Sequence, residues 1–100
     1  MILYNVTVNV EQSIEDDWIQ WMKEIHIPEV LATGHFVENK MYRLLMEQPD
    51  GTITYSVQYF ARDLNSIDAY LTNDAPVLQQ KVMQRYGKKA LAFRTVLEEI

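Results

Sequence analysis

The residues with the clearest capacity for chemistry are polar side chains at alternate positions of strand-like segments. They comprise Asn5, Thr7, Asn9, Ser56, Gln58 and Arg94. Buried polar groups need hydrogen-bond partners, which can be one another, water or a ligand. An arginine among neutral hydrogen-bonding groups would suit a carboxylate or another small anion. This set predicts a ligand site, and the alternatives are a solvated sheet face or a polar seam between subunits.

Two histidines are the only candidates for a metal site or a proton shuttle, because the chain has no cysteine. His26 and Glu29 are spaced by about one helical turn, and His35 follows in a loop. Pro28 interrupts this segment, however, and two histidines without a cysteine or carboxylate cluster do not make a zinc pattern. We therefore predict no metal and no cofactor. His26 and His35 stay candidates for ligand contact, and the alternative is that they cap helix ends and bond backbone carbonyls.

Two tryptophans lie in the first helical segment and could line a cavity for a flat ligand. Trp18 and Trp21 recur with other apolar residues at helical spacing, which is also the pattern of an ordinary core. Trp21 lies at the edge of this stripe. It is therefore the better candidate to contact a ligand or a partner subunit.

Alternation of apolar and polar residues predicts four strands, and two helical patterns separate them. The predicted strands are Ile2–Val10, Phe36–Glu47, Ile53–Arg62 and Ala90–Glu98, with a turn at Gln48-Pro49-Asp50-Gly51 before the third. The first helix is predicted to begin at Ser13, to carry Ile14, Trp18, Met22 and Ile25 on its apolar stripe, and to end or restart at Pro28. The second is predicted to begin at Asn65 or Ser66, to break before Pro76 and to stop at Gly87.

This βαββαβ order predicts one α+β domain over residues 1–100. Right-handed crossovers place both helices on one face of a four-stranded antiparallel sheet, which is the ferredoxin-like arrangement. The open face is expected to carry Leu3, Asn5, Thr7, Asn9, Thr54, Ser56, Gln58, Phe60, Arg62, Ala92, Arg94 and Val96. The phase of the second strand stays open between Tyr42/Leu44/Met46 and Val37/Met41/Leu45. A half-apolar open face predicts a homodimer that pairs sheet to sheet.

The order of elements resembles the dimeric α/β-barrel superfamily. A narrower resemblance is to a family of short bacterial proteins, common in Bacteroidetes, whose function is not established. The residues that carry it are Trp18-x-x-Trp21-Met22-x-x-x-His26-Ile27-Pro28, Gly34-His35-Phe36, Tyr59-Phe60 and Arg94-Thr95-Val96-Leu97-Glu98. The superfamily resemblance implies a cavity between helices and sheet or within the barrel. It implies no catalytic residue, because no catalytic motif matches.

Charge and composition argue against several classes of function. A net charge of −5 repels phosphate backbones and anionic lipids, so we predict no nucleic-acid or membrane partner. The N-terminal residues do not form a signal-peptide pattern, and we expect a cytoplasmic protein. This chain lacks the basic surface that an RNA-recognition domain needs. Its loop Val10–Ser13 also lacks the glycines and the arginine that form the phosphate cradle of an acylphosphatase.

The main prediction is a homodimeric module that binds a small molecule or a protein. The alternative is a cofactor-independent monooxygenase or isomerase that uses the polar barrel lining.

Overall fold

The computed structural model describes all residues from 1 to 100 and contains one four-stranded antiparallel sheet. Its strands are β1 (Ile2–Val10), β2 (Glu38–Arg43), β3 (Ile53–Ala61) and β4 (Ala90–Glu98), in the order β2-β3-β1-β4. The helices are α1 (Glu15–Trp21), a π-helical turn (Met22–His26), α2 (Ile27–Ala32), α3 (Leu64–Asn73) and α4 (Ala75–Tyr86). The predicted ferredoxin-like fold is confirmed. None of these helices has the length and apolarity needed to cross a membrane.

Of the two predicted outcomes at Pro28, the first helical segment restarts there rather than ends, because a π-helical turn joins α1 to α2. The Ile27 N–H donates to the Met22 carbonyl, five residues earlier, and Pro28 lies in the first turn of α2. A proline costs little there, since that N–H has no helical partner in any case. Buried positions accordingly step by five residues, from Met22 to Ile27. The predicted place of Ile25 in the apolar stripe is wrong: the extra residue turns its side chain outward, to 45% exposure.

Helix starts differ from the predicted caps. A short 3₁₀ turn (Gln12–Ile14) precedes α1, and Ser13 makes no capping bond. Asp63, rather than Asn65 or Ser66, caps α3: its Oδ1 accepts from the Ser66 backbone N–H at 2.8 Å. Because the aspartate carboxylate accepts from both the N–H and the hydroxyl of Ser66, it satisfies this helix end. The predicted break before Pro76 and the turn closed by Gly51 are confirmed.

Strand register corrects the predicted face of β4. Thr95 lies opposite Asn5 and Phe93 opposite Thr7, whereas Arg94 lies opposite Val6. Paired residues in antiparallel strands point to the same side of a sheet. The prediction that Ala92, Arg94 and Val96 lie on the open face is therefore wrong, and Arg94 belongs to the helix-covered face. Alternation could not decide this, because β4 carries apolar residues in both phases. Arg62 also lies just beyond β3 rather than in it.

The second strand is shorter than predicted, and its phase is now defined. β2 covers Glu38–Arg43 instead of Phe36–Glu47. Met41 pairs with Val57 on the helix-covered side, and Tyr42 pairs with Ser56 on the open side. After β2 the chain forms an exposed loop in which Leu45 is 91% exposed.

The core lies between the helices and one sheet face, and every fully buried residue in it is apolar or aromatic. An aromatic cluster fills one end: the ring of Phe36 lies 4.9 Å from that of Tyr70 and 5.3 Å from that of Tyr59. At the other end Trp18 contacts Tyr55 with 4.8 Å between ring centroids. Burial of these large rings makes the helix–sheet contact the main source of apolar stabilisation.

The π-helical turn predicts a large loss of stability when one isoleucine is replaced and a small loss when another isoleucine, two positions away, is replaced. Ile27→Ala should lower the free energy of unfolding by about 2–5 kcal/mol, because Ile27 is buried. Ile25→Ala, the matched control, should cost less than about 1 kcal/mol. Urea denaturation of both variants measures this. Equal losses would contradict the five-residue step.

Candidate functional site

A small cavity lies between the helices and the covered face of the sheet. Its volume is about 30 Å³, which is the room of roughly one water molecule. Strands β1, β3 and β4 form its floor, and the π-helical turn, α3 and α4 form its walls. The lining residues are Tyr4, Val6, Met22, His26, Val57, Tyr59, Tyr70, Gln79, Val82 and Arg94.

Two buried polar atoms on this lining have no hydrogen-bond partner. They are the Nδ1 atom of His26 and the hydroxyl oxygen of Tyr59. Leaving such a group unsatisfied costs about 1–3 kcal/mol, so native proteins keep few of them. That both unpartnered atoms line the same cavity marks it as a place where something else can supply the partners.

Tyr59 is held deep in the core by β3. Tyr59 is 2% exposed, and the centroid of its ring lies 6.2 Å from that of Tyr4. Burial raises the pKa of the Tyr59 phenol far above its ordinary value, and the neighbouring phenols Tyr70 and Tyr4 add to the effect. The pKa of Tyr70 is raised for the same main reason. Tyr59 therefore stays a neutral phenol that can donate a hydrogen bond into the cavity.

His26 comes to the cavity because it ends the π-helical turn. Its ring stacks on Trp21, with centroids 5.0 Å apart and an interplanar angle of 19°. Burial lowers the pKa of His26 to about 4, while the charge of Glu29 opposes this shift and those of Arg94 and Lys81 add to it. The imidazole is thus neutral at pH 7 and has one donor and one acceptor nitrogen.

Arg94 is the only charged residue on the cavity lining, and its side chain is exposed. It makes none of the ion pairs in the molecule, whereas Arg43 pairs with Glu15 and Arg85 pairs with Asp17. Burial raises the pKa of the Tyr4 phenol, and the charge of Arg94 opposes that rise. The lining thus carries a cation that has no carboxylate in ion-pair contact.

The open-face polar residues are together, as the pattern suggested, but they bond to one another. The Ser56 hydroxyl donates to Asn5 Oδ1 at 2.6 Å, and Asn5 Nδ2 donates to Thr7 Oγ1 at 3.0 Å. Gln58 donates to Ser56 at 3.2 Å. Asn9 separately accepts from the Thr54 hydroxyl at 2.8 Å. Each of these residues thus has at least one side-chain partner on the same face, and Arg94 is not part of the network.

The remaining candidates lie apart from the cavity lining. His35 Nε2 lies 3.0 Å from Asp74 Oδ2, so it links the loop after α2 to the junction of α3 and α4. Trp21 is buried, and its ring stacks on that of His26. The centroid of the Trp21 ring also lies 5.5 Å from that of Tyr86. No three His, Cys, Asp or Glu side chains lie close enough together to hold a metal ion.

The sequence pattern did not single out Tyr4, Tyr59, Tyr70 or Gln79 as site residues. Tyr4 and Tyr59 alternate with the residues predicted for the open face, which places them on the covered face, and this was a usable signal. A buried tyrosine hydroxyl usually finds a partner, so two tyrosines at inward-facing strand positions indicate polar contacts inside the core.

Solved structures of other proteins share this fold. An ethyl tert-butyl ether d (ethd) family protein from Bacillus halodurans C-125 is 17% identical, with a TM-score of 0.69 and full coverage of both chains. HapK from Hahella chejuensis is 12% identical, with a TM-score of 0.72 over 100% of this chain and 93% of that one. A dimeric ferredoxin-like protein from an uncultured marine organism is 13% identical, with a TM-score of 0.65 over 99% and 97% of the two chains. At these identities the similarity establishes the fold alone.

Sequence comparison defines the family more directly. No curated protein matches the chain. The family described as a domain of unknown function, DUF4286, matches residues 1–100. The chain therefore belongs to the DUF4286 family.

Proposed function

We propose that this protein is a homodimeric module that binds a small molecule in the cavity between its helices and its sheet. The observation that carries the ligand site is the pair of unpartnered buried atoms, His26 Nδ1 and the Tyr59 hydroxyl, on one lining. A ligand that bonds both atoms would recover the free energy that their burial costs. Cavities lined mostly by apolar and aromatic groups with a few convergent polar atoms are the usual form of small-molecule sites.

Self-association is supported by the open sheet face. Large apolar side chains surround its polar network, and they include Phe93 at 59%, Leu91 at 55% and Leu97 at 46% exposure. Exposed apolar surface of this kind favours association, and a two-fold pairing would cover the same patch on both copies. The structural neighbour from the uncultured marine organism is itself described as dimeric.

The alternative, a monooxygenase- or isomerase-like enzyme that uses the polar barrel lining, has weaker support. The residues it requires are Asn5, Thr7, Asn9, Ser56 and Gln58. They hydrogen-bond to one another or to Thr54, so each already has a partner within the chain. Their arrangement fits a polar centre of a dimer interface.

The ligand site predicts that Tyr59→Phe stabilises the ligand-free protein, by about 1 kcal/mol, because it removes a buried hydroxyl that has no partner. Tyr86→Phe is the matched control. Tyr86 is also buried, but its hydroxyl donates to Asp17 Oδ2 at 2.7 Å, so its loss should destabilise by a similar amount. Urea denaturation measures both. Destabilisation by Tyr59→Phe would contradict the proposal.

The proposed interface predicts that Phe93→Glu converts the dimer to a monomer, because it places a charge at the centre of an apolar contact. Val77→Glu is the control: Val77 has the same 59% exposure but lies on α4, away from the open face. Light scattering after size-exclusion chromatography gives the mass of each variant. A monomeric parent protein, or a dimer that survives Phe93→Glu, would rule out this pairing.

A further inference from the structure

The charge on the cavity lining is opposite in sign to the net charge of the molecule. The chain has a net charge of −5, yet the lining carries one cation, Arg94, and no carboxylate. Two other arginines pair with carboxylates instead. Arg43 Nε lies 3.7 Å from Glu15 Oε2, and Arg85 Nη2 lies 3.3 Å from Asp17 Oδ2. The charge of Arg94 is thus available to an anion at this one place.

The polar side chains on the cavity lining are also suited to an anion. The Tyr59 hydroxyl and the Arg94 guanidinium are donors, and the His26 Nδ1 atom is a donor in one tautomer and in the protonated ring. A carboxylate accepts several such bonds, and bonds between charged partners are the strong ones. A cationic ligand would meet Arg94 and no negative group.

We infer that the helix–sheet cavity is a site for a small organic carboxylate, with Arg94 as its charge partner and Tyr59 and His26 as its hydrogen-bond partners. This inference rests on the proposed ligand site and specifies its chemistry. The cavity volume of about 30 Å³ leaves little room beyond a water molecule. One carboxylate oxygen therefore occupies the cavity beside Tyr59 and His26, and the second oxygen and the rest of the ligand lie on the side of Arg94, whose side chain is exposed.

Binding of such an anion should be linked to protonation of His26. The charged groups that act on this ring are Glu29 on α2, Lys81 on α4 and Arg94 on β4, and the phenols Tyr4, Tyr59 and Tyr70 lie on the same lining. The pKa of His26 is about 4 in the free protein, and a neighbouring anion would raise it. Between the free and bound pKa values, binding takes up a proton. Carboxylate affinity should therefore increase as the pH falls through that window, as long as the ligand stays ionised.

Nitrogen and proton NMR of the two histidine rings tests this directly. Formate, acetate and benzoate are titrated against their neutral counterparts formamide, acetamide and benzamide at millimolar concentrations. At least one carboxylate should shift the His26 resonances toward the protonated form and bind more tightly than its amide. His35 serves as an internal reference, because it pairs with Asp74 outside the cavity lining.

Two arginine variants provide the matched comparison. Arg94→Gln should weaken carboxylate binding about tenfold and leave amide binding unchanged. Arg62→Gln, which removes an exposed arginine away from the cavity lining, should have no effect on either.

The outcomes separate this inference from the proposed ligand site. Amides that bind at His26 as tightly as the carboxylates would overturn the carboxylate assignment and keep the ligand site. No shift at His26 with any of the six compounds would overturn the carboxylate assignment. If Tyr59→Phe also failed to stabilise the free protein, the ligand site itself would be rejected.

Discussion

The first helical segment has to keep its apolar side on the sheet while it passes a proline, and the π-helical turn makes both possible. Without the extra residue, the side chains after Met22 would follow the 3.6-residue period and present Ile25 to the sheet. With it, Ile27 and Val30 are buried instead. The same turn ends at His26 and orients that ring over the cavity. Single π-helical turns inside α-helices often occur at functional sites. The same π-helical turn therefore keeps the apolar side of the helix on the sheet and places His26 at the cavity.

The two faces of the sheet handle their polar groups in opposite ways. On the open face, amides and hydroxyls of Asn5, Thr7, Ser56 and Gln58 bond to one another, and apolar residues surround them. Such a face can be covered by another protein surface while these hydrogen bonds stay intact. On the covered face, the core is almost wholly apolar, and its two unsatisfied atoms meet in one cavity. The first arrangement suits association between subunits, and the second suits a small ligand.

The cavity has the features expected where stability is given up for binding. A buried phenol without a partner costs stability in the ligand-free protein. The chain nevertheless keeps a phenol, a neutral imidazole and an unpaired guanidinium around the same small volume. The phenol and the guanidinium can donate hydrogen bonds to a carboxylate, and so can the imidazole in one of its tautomers. Local destabilisation and chemical complementarity therefore point to the same place.

Local pattern in the sequence determined the elements and their order. Alternation in Ile2–Val10 and Ile53–Ala61, the break before Pro76 and the turn at Gly51 are properties of short segments, and the right-handed crossover rule converts them into the ferredoxin-like sheet. Only the tertiary structure decided the site. β4 carries apolar residues in both phases, so its register against β1 had to place Arg94 on the covered face. The π-helical turn likewise adds one residue that no period of 3.6 predicts, and it brings His26 to Tyr59. Residues as distant in sequence as 26, 59 and 94 line one cavity because of strand register and helix phase, which are set by packing across the whole core rather than by any local segment.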